Sequence, residues 1–233
     1  MNPESVGSAV NLSMTLLFIS FVPFALFVGY IVFNSPIGAP IFRLLGERQF
    51  QKKQYAKAAQ TYIKLHDLQV QLEGFIYAKK AALSLELSGN LREARRWYEK
   101  CEDWAKLGQL SLEAGETDAA LEIFAEHGLH ARMIQVYELK EQWIAAGDVY
   151  QEQLQNTHKA ENAYRRASHS EDPETKITAE LKLAQLYHQM QREQDARELL
   201  QSAQTQLQSS PQFVEFPDLL ALHSAVREMI VGA

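Results

Sequence analysis

The chain has 233 residues, room for one long domain or two short ones, and its 29 acidic residues outnumber 23 basic ones for a net charge of −6. That balance argues against nucleic acid as a general partner. A single cysteine, Cys101, excludes an internal disulfide framework and a cysteine zinc site.

The first element in chain order is apolar. No charged residue occurs from Ser5 to Phe42, and Leu12–Phe33 is almost wholly hydrophobic. Roughly 20 such residues span a bilayer core of about 30 Å. A secretory signal usually has a basic leading region and an apolar run of about 7–15 residues. Residues 1–11 lack Lys and Arg, so they read as a short tail and residues 12–34 as a retained transmembrane helix in contact with lipid. Within it Pro23 would kink the helix, and Ala25 and Gly29 form a small-xxx-small pair suited to close packing of a second membrane helix. Arg43, Arg48, Lys52 and Lys53 follow the run, whereas Glu4 is the lone charged side chain before it. The positive-inside rule then places the N-terminus outside and everything after the span in the cytoplasm, a single-pass topology.

Residues 35–40 are a short, turn-rich connector. Beyond them Phe42, Leu45 and Gly46 occupy one helix face, and Ala58 and Tyr62 share a face on the next. This first pair of helices carries Arg43, Arg48, Lys52, Lys53, Lys57 and Lys64 against Glu47 alone, while residues 66–233 hold the remaining 17 basic and 27 acidic residues. Basic residues beside an anionic leaflet gain about 1 kcal/mol each. The six are therefore expected to lie against lipid headgroups.

A longer helical stretch is expected over Leu68–Leu87, with Ala78, Ala81, Ala82 and Leu85 facing inward, and Ala94 and Tyr98 mark the helix after it. Trp104, Leu107, Gly108 and Ser111 share one face of a further helix. Gly115 turns the chain, and Ala120 and Phe124 share a face on the next helix. Met133, Ile134 and Tyr137 begin another helix, with Trp143, Ala146 and Tyr150 on its partner. Ala160 and Tyr164, then Leu183, Ala184, Tyr187, Ala196, Leu200 and Ala203, extend the series. Ser168–Lys176 reads as a polar loop broken by Pro173. Residues 206–233 contain a last helix with Leu219, Leu222, Val226 and Ile230 at helical spacing, expected to cap the array.

The stretch Trp104–Phe124 resembles the tetratricopeptide repeat, W-x2-L-G-x2-Y followed by A-x3-F, with Ser111 in place of Tyr and Arg132 in place of Pro. The Ala-x3-aromatic or Ala-x3-Leu marks begin at residues 58, 94, 120, 146, 160 and 196, so the spacing is irregular rather than strictly 34. Such irregularity is also similar to the degenerate helical repeats of vesicle-coat and soluble NSF attachment proteins. The resemblance implies an all-α chain: one N-terminal transmembrane helix, then a right-handed TPR-like α-solenoid over 41–205. It also implies a concave face lined by first-helix positions, here Lys79, Leu83, Glu102, Ala105, Gln109, Ala131, Gln135, Leu181, Gln185 and His188. These are the candidate protein-binding residues. They are neutral to mildly polar, which suits a segment read through apolar and amide contacts.

No glycine-rich phosphate loop, nucleophile elbow or paired-histidine metal motif is present. His127 and His130, near Glu122 and Glu126, read as helix-end residues, and Cys101 as a small buried hydrophobe. No catalytic, cofactor-binding or metal-binding residue is assigned, and the chain is not expected to be an enzyme. The function expected is a membrane-anchored scaffold or adaptor for proteins at the cytoplasmic face. The alternative is an integral subunit of a transport, secretion or motility machine, with the span as an interface. The chain is also similar to membrane-anchored lipopolysaccharide assembly proteins, but it lacks their four-cysteine metal module.

Overall fold

The computed structural model describes residues 21–22, 24–68, 74–209 and 216–232. Among these residues every element is helical. Helix α1 spans Phe24–Asn34. A 3₁₀ turn, Pro36–Gly38, leads into α2, Ala39–Gln51. Then follow α3 (Tyr55–Leu68), α4 (Gly74–Leu87), α5 (Leu91–Lys100) and α6 (Trp104–Glu113). The later helices are α7 (Thr117–Glu126), α8 (His130–Leu139), α9 (Trp143–Asp148, continued by a π-helical turn Val149–Gln153), α10 (Thr157–Ala167), α11 (Pro173–Gln189), α12 (Glu193–Ser209) and α13 (Pro217–Val231). They form two compact units, Met1–Ala114 and Gly115–Ala233.

Residues 12–20 and Pro23 of the expected transmembrane helix lie outside the described residues. Among those described, no single helix is long and apolar enough to cross a membrane; the pair Phe24–Asn34 and Pro36–Gln51, bent by 84°, meets the requirement together by length and composition. The expected connector is itself helical. Pro36 opens the 3₁₀ turn and Pro40 lies in the first turn of α2, where a missing N–H costs nothing and φ is already suitable. Gly38 permits the bend, because a Cβ there would lie 2.0 Å from the Val32 carbonyl oxygen. Of the expected stretch Leu68–Leu87, Leu68 is the last described residue of α3 and Gly74–Leu87 is α4, while residues 69–73 lie outside the described residues. Pro173 sits at the first position of α11 behind the N-cap Asp172, whose carboxylate accepts the Thr175 N–H at 2.9 Å, so it starts a helix rather than breaking a loop.

In the first unit α2, α3, α4 and α5 each pack on the helix that follows. Gly46 of α2 meets the Tyr62 ring so closely that a Cβ would lie 2.9 Å from it. Ala39, Ala58, Tyr62, Leu65, Tyr77 and Ala81 form one cluster, and Ala82, Ala94, Tyr98, Cys101 and Leu110 belong to the next. Ser111, standing where a repeat would carry Tyr, is buried, and its hydroxyl accepts from the Arg95 guanidinium at 3.1 Å. The second unit repeats the close approach, since a Cβ on Gly147 of α9 would lie 2.4 Å from the Tyr164 ring of α10. Helix α9 therefore makes its tightest contact with the following helix, although it packs on α8 as well. The largest cluster joins α10, α11 and α12 to α13 through Leu219, Val226 and Ile230.

Eight of the described turns between helices share one device, a left-handed residue just past the helix end. Gly89, Gly115 and Gly128 supply it, but so do Lys53, Glu102, Glu141, Gln155 and Gln191, with φ between 50° and 60°. Most of these turns end in the same crossed pair of backbone bonds, as where Gln191 N–H donates to His188 and Arg192 N–H to Tyr187.

Candidate functional site

The expected surfaces are considered unit by unit. In the first, the exposed side chains of α1 include Phe24, Leu26, Phe27, Val28, Tyr30, Ile31 and Phe33. Ala25 and Gly29 are also exposed, and no atom would meet a Cβ on Gly29 within 4 Å. The base of α1 is tied to the repeats: Lys64 Nζ donates to Asn34 Oδ1 at 3.1 Å and lies 4.7 Å from the Phe33 ring centre, while Phe33 meets Phe42 edge-on at 5.2 Å. Arg43, Arg48, Lys52, Lys53 and Lys57 are exposed and Lys64 is half-buried. The structure thus brings the basic residues and the apolar helix together in one unit.

The expected groove residues separate into two sets. Lys79, Leu83, Glu102, Ala105 and Gln109 lie in the first unit, where Lys79 pairs with Asp103 at 2.7 Å and Gln109 donates to Glu113 at 3.0 Å. Glu102 is the left-handed residue after α5 and belongs to a turn. In the second unit Ala131 and Gln135 are exposed, and Gln185 and His188 are half-buried. Leu181 requires correction. It is fully buried in the cluster that α13 completes, so it lines no groove; helical spacing placed it on a surface that the last helix covers.

A recurring three-residue arrangement was not visible from the Ala-x3-aromatic marks. Glu47, the residue after Gly46, bonds the Tyr62 hydroxyl and accepts from Lys80. Glu86 accepts from the Tyr98 hydroxyl and, at 3.2 Å, from Lys106. Asp148, the residue after Gly147, accepts from the Tyr164 hydroxyl at 2.6 Å and Lys182 at 2.9 Å. Carboxylate and lysine are 33, 20 and 34 residues apart, two of them near the repeat length of about 34. Burial, then the neighbouring carboxylate, pushes the phenols of Tyr62, Tyr98 and Tyr164 up. Each set therefore holds a neutral phenol against a carboxylate across helices. That tightens packing and offers no acid–base pair near neutrality.

The second unit also has an open cleft beside α9 and α10, about 750 Å³, lined by Trp143, Asn162, Arg165, Arg166 and His169. The Arg166 guanidinium stacks 4.7 Å from the Trp143 ring centre. Lys159 lies 5.4 Å over Tyr150, whose ring the π-helical turn presents and whose hydroxyl reaches Glu138 at 3.3 Å. Arg165 is held by Glu161 at 2.9 Å and donates to the Tyr187 hydroxyl at 2.7 Å. Burial works to raise the Glu161 carboxyl, but the Tyr187 hydroxyl, Arg165 and Arg192 prevail and hold it below its usual range. Of the residues around this cleft, Trp143 and Tyr150 are expected from the sequence only as packing residues. The available signal is Lys159, Asn162 and Arg166, which recur on one face of α10, with His169 just beyond its end.

Among the described residues no group of three His, Cys, Asp or Glu side chains is placed to hold a metal ion. Cys101 is buried, and burial pushes its thiol up, which leaves it a poor nucleophile.

No family model and no curated protein matches the chain. Among solved structures, one described as "MamA RS-1 ArsTM double mutant" aligns with 73% of this chain and 95% of that chain at 15% identity, with a TM-score of 0.35.

Proposed function

We propose that the chain is a membrane-tethered scaffold of TPR-like helical repeats that binds proteins at the cytoplasmic face and performs no catalysis. The carrying observation is where apolar surface is exposed. Exposed large apolar side chains recur at Phe21 and Val22, along α1 and into α2 as far as Leu45, while Tyr62, Tyr98, Phe124, Tyr164 and Leu186 of the later helices are buried. Exposed apolar surface of this kind marks a membrane or partner contact. Tethering the repeats in a thin layer raises the effective concentration of a membrane-bound partner, so modest affinities suffice.

Within this reading the cleft beside α10 is the contact surface. Exposed Arg166, Lys159 and His169, with Trp143 as an aromatic floor, suit an acidic segment carrying an apolar side chain. The expected groove positions Lys79, Leu83, Ala105, Gln109, Ala131, Gln135, Gln185 and His188 are further proposed contacts. The test is a photoactivatable residue at Asn162 of the full chain in native membranes. Adducts with one or a few proteins, lost when Trp143→Ala and Arg166→Glu are introduced, are expected; no protein adduct at that position contradicts the assignment.

A second reading makes the chain an integral subunit of a larger membrane machine. Its support is the open space around Gly29 on exposed α1. Gly29→Leu would then leave membrane retention intact and abolish co-purification of the other subunits.

A further inference from the structure

We infer that α2 is an interfacial helix, lying in the headgroup layer of an anionic membrane with its apolar face in the acyl boundary. This rests on the proposed anchor and specifies which surface of the first repeat meets lipid.

The argument starts from the two faces of α2. Its inner face carries Ala39, Phe42, Gly46 and Phe50, packed into the cluster around Tyr62. The opposite face of a repeat helix is normally polar. Here Ile37, in the preceding 3₁₀ turn, is 72% exposed, Ile41 62% and Leu44 73%; Leu45, expected on the face of Phe42 and Gly46, lies at the edge of this outward face and is 42% exposed. Those spacings place them on one stripe, and Arg48 and Lys52 continue it at the C-terminal end. An outward stripe of large aliphatics ending in basic residues is the amphipathic signature of a helix that lies on a membrane.

Geometry and charge name the occupant. The axes of α1 and the segment beginning at Pro36 differ by 84°. With α1 close to the membrane normal, α2 lies almost in the membrane plane. Exposed apolar side chains occur on both sides of the bend, Ile31 and Phe33 at the end of α1 and Ile37 and Ile41 after it. Arg43, Arg48, Lys52, Lys53 and Lys57 are exposed in the same unit, in a chain whose net charge is −6. Anionic headgroups complement that local excess, whereas a second copy of the same basic surface would be repelled. Lys64, bonded to Asn34 and seated over Phe33, fixes the elbow between the two helices.

The test uses the full chain reconstituted into phosphatidylcholine vesicles containing phosphatidylglycerol. A polarity-sensitive fluorophore is placed at Leu44→Cys or, as a control, at Leu91→Cys on α5. Native Cys101 is buried and pushed up, so it does not compete for the label. The expected result is flotation of both proteins, with blue-shifted emission at position 44 that is quenched several-fold more strongly than position 91 by lipids spin-labelled near the headgroup. Leu44→Glu, a change at a position 73% exposed, should return a fluorophore at Ile41→Cys to a water-like spectrum while the chain still floats. Flotation with a water-like spectrum at position 44 overturns the interfacial helix and leaves the anchor standing. A blue shift without lipid quenching, with disulfide capture between two Leu44→Cys chains, assigns the stripe to a dimer and also overturns it. Failure to float overturns the anchor and the interfacial helix together.

Discussion

The Tyr164 hydroxyl donates to Asp148 Oδ1 at 2.6 Å, and the Lys182 ammonium reaches the same oxygen at 2.9 Å from the helix beyond. Three helices are thereby joined through one carboxylate. A hydrogen bond to a charged group contributes about 1.5–3 kcal/mol, less where water reaches it, and the Asp148 side chain is about a third exposed. Tyr164→Phe should therefore destabilise the protein by about 1–2 kcal/mol in urea unfolding. Tyr150→Phe removes an exposed bond of 3.3 Å to Glu138 and should cost less than about 0.5 kcal/mol.

The same groups set the pH limits of stability. Glu161 has a folded pKa below its ordinary 4.5, with burial opposing and Tyr187, Arg165 and Arg192 lowering it. A depressed carboxylate contributes stability that is full above the unfolded pKa and is lost as pH falls through the folded one. Glu161→Gln should flatten the acid limb of a stability–pH curve below about pH 4.5. The phenols of Tyr98 and Tyr164 shift upward, through burial and then Glu86 and Asp148. Their contribution is complete below about pH 10 and declines as pH rises toward the folded values. Spectrophotometric titration should show these two ionising only with alkaline unfolding.

Close approach of first and second helices depends on the missing side chain at Gly147 and Gly46. A Cβ would meet the Tyr164 ring at 2.4 Å and the Tyr62 ring at 2.9 Å. Overpacking a well-filled site costs about 1–3 kcal/mol. Gly147→Ala should fall at the upper end and Gly46→Ala at the lower, measured by thermal unfolding. Gly29→Ala meets nothing within 4 Å and should leave the repeats unchanged.

Left-handed residues make a separate prediction. Glu141 has φ of 56° and Gly115 φ of 80°. The left-handed conformation costs an L-residue about 1–2 kcal/mol, and glycine adds about 0.5–1 kcal/mol of chain entropy to lose on folding. Glu141→Gly should raise stability by about 0.5 kcal/mol, and Gly115→Ala should lower it by about 1 kcal/mol. Matching signs for the two substitutions would contradict the turn geometry.

These turns also explain what was legible in the sequence. Helix faces were, because burial follows helical spacing: Ala58 with Tyr62, Ala94 with Tyr98, and Ala160 with Tyr164 are all buried. Gly115 announced its turn. Lys53, Glu102, Glu141, Gln155 and Gln191 adopt the same conformation without glycine, so local chemistry gave no mark. Leu181 was misplaced because a single helix does not reveal that α13 will cover it. Arg165 and Arg166 escaped notice because RR after an Ala-x3-Tyr mark reads as a solvated helix end until Trp143 is brought beneath Arg166 by the fold. The carboxylate–tyrosine–lysine sets each join three helices across 20 to 34 residues, farther than pairs on one helix reach.

The most direct test of the tethered-scaffold account is alkaline carbonate extraction of membranes from cells expressing the full chain. Carbonate strips proteins held by surface charge or by other proteins and leaves those with a segment in the bilayer. The account predicts that the chain stays in the membrane pellet with its repeats digestible by protease from the cytoplasmic side. Quantitative release into the supernatant would contradict it, and would turn the exposed apolar surface from Phe21 to Leu45 into a protein interface.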